Sequence, residues 1–227
     1  MRWNGRVLGM LVALAVWPAV QAAGTATVEA GADEGRLEAV LDYRADQLRL
    51  ETQTQQGLPV ILIQRDATLY ILANNLVLDA EQAMRLFGQQ VPLPTAGPVD
   101  FSRFIALEPT PRHEIHAGIG GTVHRLRYAD GAGQVQVEEM VLSTDPRAVE
   151  LSRAMLGLGQ TLRRSIDLPP LPDEARLQAA IRGRGVLRFG RDFRLLALDA
   201  TPPAADRFEL PSLPLPLPDF GGFRFGG

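Results

Sequence analysis

Arg36-Leu-Glu-Ala-Val-Leu-Asp-Tyr43 and Leu48-Arg-Leu-Glu-Thr-Gln-Thr54 decide the fold. In the first stretch Leu37, Ala39, Leu41 and Tyr43 share one parity, while Arg36, Glu38 and Asp42 share the other. In the second, Leu48, Leu50, Thr52 and Thr54 alternate with Arg49, Glu51 and Gln53. A period of two marks a strand with one face buried, because successive side chains point to opposite sides. The polar link Arg44-Ala45-Asp46-Gln47 turns one run into the other. The pair predicts an antiparallel hairpin.

The same period extends outward. Val60 to Ile63 is a continuous apolar run, as expected of a strand covered on both sides. Thr68 to Leu72 and Leu76 to Leu78 continue the meander across Asn74-Asn75, a pair that tolerates positive φ in a turn. Asp79 caps a short helix, Gln82 completes its capping box, and Gly88 is its stop. Five prolines between 91 and 111 predict a loop or an edge strand there. A second hairpin spans 121–142 with Asp130-Gly131 in its turn. Its return strand changes phase from Val135 and Val137 to Met140 and Leu142, which predicts a bulge at Glu138-Glu139. Asp145-Pro146 opens the longest helix, to about Arg164, with an apolar stripe of Ala148, Leu151, Met155, Leu158 and Leu162. Residues 168–172 form a stiff Leu-Pro connector. A short helix after Asp173 and two strands, 185–190 and 193–199, complete the predicted elements. From 212 the chain is an extended Pro- and Gly-rich tail.

The N-terminus reads as an export leader. Arg2 and Arg6 precede an apolar run from Val7 to Val20, and Val20-Gln21-Ala22 offers small residues one and three positions before a cut. Cleavage between Ala22 and Ala23 is expected, so the mature protein works in the periplasm or is secreted. The apolar core is short for a membrane span, and the mature chain is not expected to be an integral membrane protein. Removing the leader takes Arg2 and Arg6 from the 23 basic residues and leaves 21 against 26 acidic ones, a balance of −5. Mild net acidity argues against a nucleic-acid partner, which needs a clustered basic face. The chain has no cysteine, which excludes disulfides, a lipidated N-terminus, a thiol nucleophile and thiolate metal ligands. Roughly 200 residues suffice for one hydrophobic core without such staples.

Three stretches carry a resemblance. They are Leu41-Asp-Tyr-Arg44 through Leu48-Arg-Leu-Glu51 with Ile61 to Asp66 and Leu69-Tyr70; Gly121-Thr-Val-His124 through Tyr128 to Ser143; and Asp206-Arg-Phe-Glu-Leu-Pro211. Together they resemble a family of exported bacterial proteins of unknown function, similar in layout to the periplasmic lipoprotein-localisation carriers. The resemblance covers about residues 25–211 and implies a half-barrel, a curved and incompletely closed antiparallel sheet with helices on its concave face. It carries no catalytic residues to transfer. The proline-rich segments 168–172 and 211–218 depart from it.

Candidate sites are few. His113, His116 and His124 are the best metal candidates, yet residues three apart on a strand face opposite ways. Glu138-Glu139 would pair for acid–base work only across a bulge. No serine sits in a nucleophile elbow, and Gly118-Ile-Gly-Gly121 leads into a strand rather than a helix N-terminus. Arg182, Arg184, Arg188, Arg191 and Arg194 form a local basic excess that suits a solvated strand face or an anionic partner. No catalytic residue, metal or cofactor is expected.

The expected class is therefore α+β, mainly β: a curved antiparallel sheet, an incomplete barrel, with short helices packed on its concave face. The domains are a signal peptide at 1–22, a single β-rich domain at 23–211 and a tail at 212–227. The expected function is a non-enzymatic envelope protein binding a lipid or acyl-chain ligand. Leu41, Tyr43, Leu48, Leu50, Leu126 and Tyr128 would line its site. The alternative is an interaction module with a filled core that docks an envelope protein partner through the tail. N-terminal sequencing of protein taken from the periplasm should begin at Ala23; an intact Met1 would refute the leader.

Overall fold

The computed structural model describes residues 23–31, 36–53, 57–73, 76–87, 101–165, 167 and 172–211. The predicted leader to Ala22, the Asn74-Asn75 turn, Gly88, residues 168–171 and the tail from 212 lie outside them. Within the first half the strands are β1 (Ala23–Ala30), β2 (Leu37–Arg44), β3 (Gln47–Gln53), β4 (Pro59–Arg65), β5 (Thr68–Ala73) and β6 (Leu76–Asp79). The second half supplies β7 (Phe101–His116), β8 (Ile119–Asp130), β9 (Val135–Ser143), β10 (Gly185–Phe189) and β11 (Phe193–Asp199). Helices α1 (Ala80–Phe87), α2 (Pro146–Ser165) and α3 (Glu174–Ala180) and a 3₁₀ turn (Ala205–Phe208) join or follow them.

All these strands form one antiparallel sheet in the order β6-β5-β4-β3-β2-β1-β11-β10-β9-β8-β7. The sheet does not close into a barrel. Each half is a meander, and the halves meet where β1 pairs with β11. The edge strand β7 nevertheless reaches β11 across three intervening strands, so that end of the sheet rolls inward. Twenty residues of α2 give about 30 Å of helix. That length carries α2 from β10 past β1 to β5 and α1. Asp145 starts it: its Oδ1 accepts the Arg147 amide at 2.9 Å, and Pro146 fills the first helical position. Among the described residues no helix is long and apolar enough to cross a membrane.

The inner face follows the first hairpin. Leu41 pairs with Leu50 and Tyr43 with Leu48, and Leu50 continues to Leu62 and Ile71. These side chains form one buried cluster with Leu151, Leu158 and Leu162 of α2. α2 approaches β10 closely enough that Gly185 has no substitute: a Cβ there would lie 2.2 Å from the Ala148 carbonyl carbon. The Ser152 hydroxyl accepts the Val186 amide at 2.8 Å beside a bulge in β10.

Three expectations change. The β8–β9 ladder runs without interruption from Thr122↔Leu142 to Ala129↔Val135, so Glu138-Glu139 is not a bulge. Burial switches parity instead, and at the same rung on both strands. On β8 it passes from Ile119 and Val123 to His124, Leu126 and Tyr128; on β9 Val141 and Met140 are both buried, while Val135 and Val137 are exposed. The rolled sheet covers opposite faces of this ribbon at its two ends. A change of cover, not of register, makes the phase slip. The β8–β9 turn is also longer than Asp130-Gly131 suggests. The Asp130 amide bonds the Gln134 carbonyl, and the positive φ falls on Gly133 at 79°. Two-residue turns with positive φ at both positions are instead Ala117-Gly118, between β7 and β8, and Asp66-Ala67, between β4 and β5.

The third change concerns the outward row. Glu38 is exposed, but Asp42 is only 3% exposed. The 3₁₀ turn lies against β3 and β4 on this side, and Phe208 and Ile63 are buried outside the inner cluster. Arg207 donates to Asp42 Oδ2 through Nε at 2.9 Å and Nη2 at 2.7 Å, and to Glu51 at 2.6 Å. Thr25 donates to the other Asp42 oxygen at 2.7 Å. Arg49 joins Glu51 to the Arg207 carbonyl. Removing one partner of a shielded pair leaves a charge without compensation. Arg207→Ala should therefore cost about 2 kcal/mol in denaturant unfolding, whereas Glu38→Ala should stay within about 0.5 kcal/mol. Equal effects would mean that the clamp contributes nothing.

Candidate functional site

The six expected lining residues come together as far as burial can show. Leu41, Tyr43, Leu48, Leu50, Leu126 and Tyr128 all belong to the inner cluster and are between 1% and 7% exposed. Tyr128 stacks on Phe101 with ring centroids 5.4 Å apart. Leu158 and Leu162 of α2 lie in the same cluster, so in this conformation the helix occupies the face a ligand would use. Tyr43 differs from the rest. Its hydroxyl is buried without a hydrogen-bond partner among the described residues, and burial, reinforced by the charge of Glu150, pushes its pKa up to about 12. It therefore stays a protonated donor at any ordinary pH.

A separate cleft of about 420 Å³ opens at the other end of the sheet, between β7, β8 and the segment leading into β10. His113, Glu114, Thr122, His124 and Arg184 supply its polar wall, and Pro109, Ile115 and Leu142 its apolar one. The edge strand can bend into this wall because its pairing with β8 is irregular in three places, each with extra residues on β7. The last lies between Pro109 and His113, where proline lacks only a donor that a bulge would leave unpaired. Thr110 secures it by donating to the Val123 carbonyl at 2.8 Å.

The ionisable groups here sort into two sets. Glu114 accepts from Arg188 Nε at 3.0 Å and Nη2 at 3.1 Å, from Arg112 at 3.2 Å, and lies 3.0 Å from His116 Nε2. Glu139 binds the same two arginines at 2.6 and 3.1 Å. Two carboxylates held by two guanidiniums are a clamp tying β7, β9 and β10, not an acid–base pair. Glu138 points to the opposite side of its strand; burial and then Asp192 raise its carboxyl pKa. The second set is His124 and Arg184. Arg184 Nη1 lies 2.8 Å from His124 Nε2, and His124 Nδ1 lies 2.9 Å from the Thr122 carbonyl. Guanidinium can only donate, so Nε2 accepts, the proton resides on Nδ1, and the imidazole is neutral.

His113 contacts Thr122 while His116 contacts Glu114, so the two side chains do not converge. Among the described residues no group of three His, Asp or Glu side chains could hold a metal ion. Of the arginine excess, Arg188 is absorbed by the clamp and Arg184 by His124. The Glu114–Arg188 clamp was not foreseen, because its partners are 74 residues apart and no local pattern links them. The Ala23 expected to begin the mature chain is the first residue of β1. Comparison with family models, curated proteins and solved structures returns no match to this chain.

The hydrogen bonds from Arg188 hold the Glu114 carboxyl below the usual carboxylate range. A lowered folded-state pKa stabilises the fold above the ordinary carboxylate value and is lost as pH falls through the lowered one. Glu114→Gln should thus melt below the wild type near neutral pH, and the gap should close as pH falls below the ordinary carboxylate range. Paired thermal melts across that range check it, and a constant gap would rule it out.

Proposed function

We propose that this chain is an exported, non-enzymatic protein of the periplasm that shields an apolar ligand, such as the acyl chain of a lipid or lipoprotein, against the inner face of its sheet. The observation that carries the reading is the single apolar cluster that joins Leu41 and Leu50 to Leu126 and Tyr128 and includes Leu151, Leu158 and Leu162 of α2. A curved sheet that does not close keeps such a face available to anything that displaces its cover. Gly157 and Gly159 suit α2 to that movement. Among the described residues no neighbouring element lies within 4 Å of where their Cβ atoms would stand, and each weakens the helix by about 1 kcal/mol relative to alanine. The unpartnered Tyr43 hydroxyl supports the reading as well, since a ligand oxygen would satisfy it.

The close packing of the same six residues favours a second reading, a filled core with the Leu-Pro and Phe-Gly tail as the docking element. Native mass spectrometry of protein released gently from the periplasm separates the two. A retained lipid should appear as added mass, and Leu50→Glu should abolish it. Bare protein that also fails to take up a fluorescent fatty acid would favour the docking module.

A further inference from the structure

Charges at the cleft do not cancel evenly. Glu114 lines it, but both its oxygens are engaged by Arg112, Arg188 and His116. Arg184 lines it too, and among the described residues it has no carboxylate partner. Its one side-chain hydrogen bond goes to the neutral imidazole of His124. That bond fixes the guanidinium without neutralising it. His124 is itself only 5% exposed and is anchored by the Thr122 carbonyl, so it is a rigid support. The Nε and Nη2 edge of Arg184 makes no hydrogen bond within the described protein. Such an edge is a planar fork whose spacing matches two oxygens of one anion.

We propose that this cleft binds a phosphate-type oxyanion, seated on the open edge of Arg184. A tetrahedral anion has oxygens left over after the fork; the Thr144 hydroxyl in the same cleft can donate to them, and so can that of Thr122 when His113 Nδ1 is the donor in their contact. Volume allows more than a bare ion: about 420 Å³ accommodates an organic group attached to the phosphate. Ile115, 76% exposed, stands at the same cleft as an apolar contact for such a group. Free phosphate and the head group of an anionic lipid share this chemistry. None of the six residues of the inner apolar face lines the cleft, so the assignment stands apart from the carrier reading.

The test uses inorganic phosphate in calorimetry, and phosphatidylglycerol against phosphatidylcholine vesicles in sedimentation. Wild-type protein should bind phosphate or the anionic vesicles, with affinity falling as salt is raised. Arg184→Gln should weaken that binding by about tenfold or more, and exposed Arg182→Gln should leave it unchanged. Thr144→Asp, at an exposed position where the fold is safe, should weaken binding through repulsion even if Arg184→Gln proves unstable. Phosphate binding without vesicle binding assigns a free anion, and the reverse assigns a lipid head group. The proposal is overturned if neither probe binds the wild type, or if Arg182→Gln is as damaging as Arg184→Gln.

Discussion

A sheet that curves without closing must have its inner face covered from within the same chain, and here one helix does most of it. α2 reaches from β10 to β5, strands separated by five others in the sheet. Its placement depends on a contact at its first turn, where Ala148 lies on Gly185 and Ser152 takes the Val186 amide. The fit leaves no room for a side chain at 185. Everything further along α2, including the cover that Leu158 and Leu162 provide, follows from that seat. The inner cluster is thus held by geometry at one end and by apolar burial along its length, with no disulfide to help.

The outer surface is tied differently. Two charge clamps join segments remote in sequence: Arg207 with Asp42 and Glu51, and Arg188 with Glu114 and Glu139. The first brings the end of the described chain back over β2 and β3. The second locks the bulged edge strand β7 to β9 and β10, where ladder bonds alone would be interrupted. Each clamp contains more than one carboxylate and more than one guanidinium, so loss of a single bond leaves partial compensation. Arg184 belongs to neither clamp and is held by an imidazole in place of an anion. It is the exception that gives the cleft its chemical character.

Apolar and polar features therefore occupy different places. The inner face offers area without direction, and Tyr43 is its single unpartnered donor among the described core residues. The cleft offers direction, from Arg184 and its neighbours, beside a small apolar wall of Pro109, Ile115 and Leu142. An amphiphile needs both, whereas a free anion needs only the second.

Period-two patterning alone determined most of the sheet, because one-sided burial writes itself into alternating residues. The first hairpin, the meander to Asp79 and the last two strands are legible in this way, and the cap of α1 and the start of α2 in their capping residues, Asp79 and Asp145-Pro146. β1 was not, although it lies at the centre of the sheet. Its inward residues Ala26 and Val28 are small, and its second residue is Gly24, where a Cβ would meet the Asp199 carbonyl at 2.5 Å and the Tyr43 hydroxyl at 2.8 Å. Such a strand is selected by the space its neighbours leave, and that space has no local signature. The phase change in β9 was visible as a pattern but misread, since a ladder slip and a change of covered face look alike in one dimension. Asp42 was assigned to the correct face yet proved buried, because a turn more than 160 residues later covers it. The cleft was the least legible of all. His124 and Arg184, 60 residues apart, meet only because the sheet rolls β8 and the approach to β10 together. Alternation records which side of a strand is wet or dry; which distant side chain arrives there is settled by the curvature of the whole sheet.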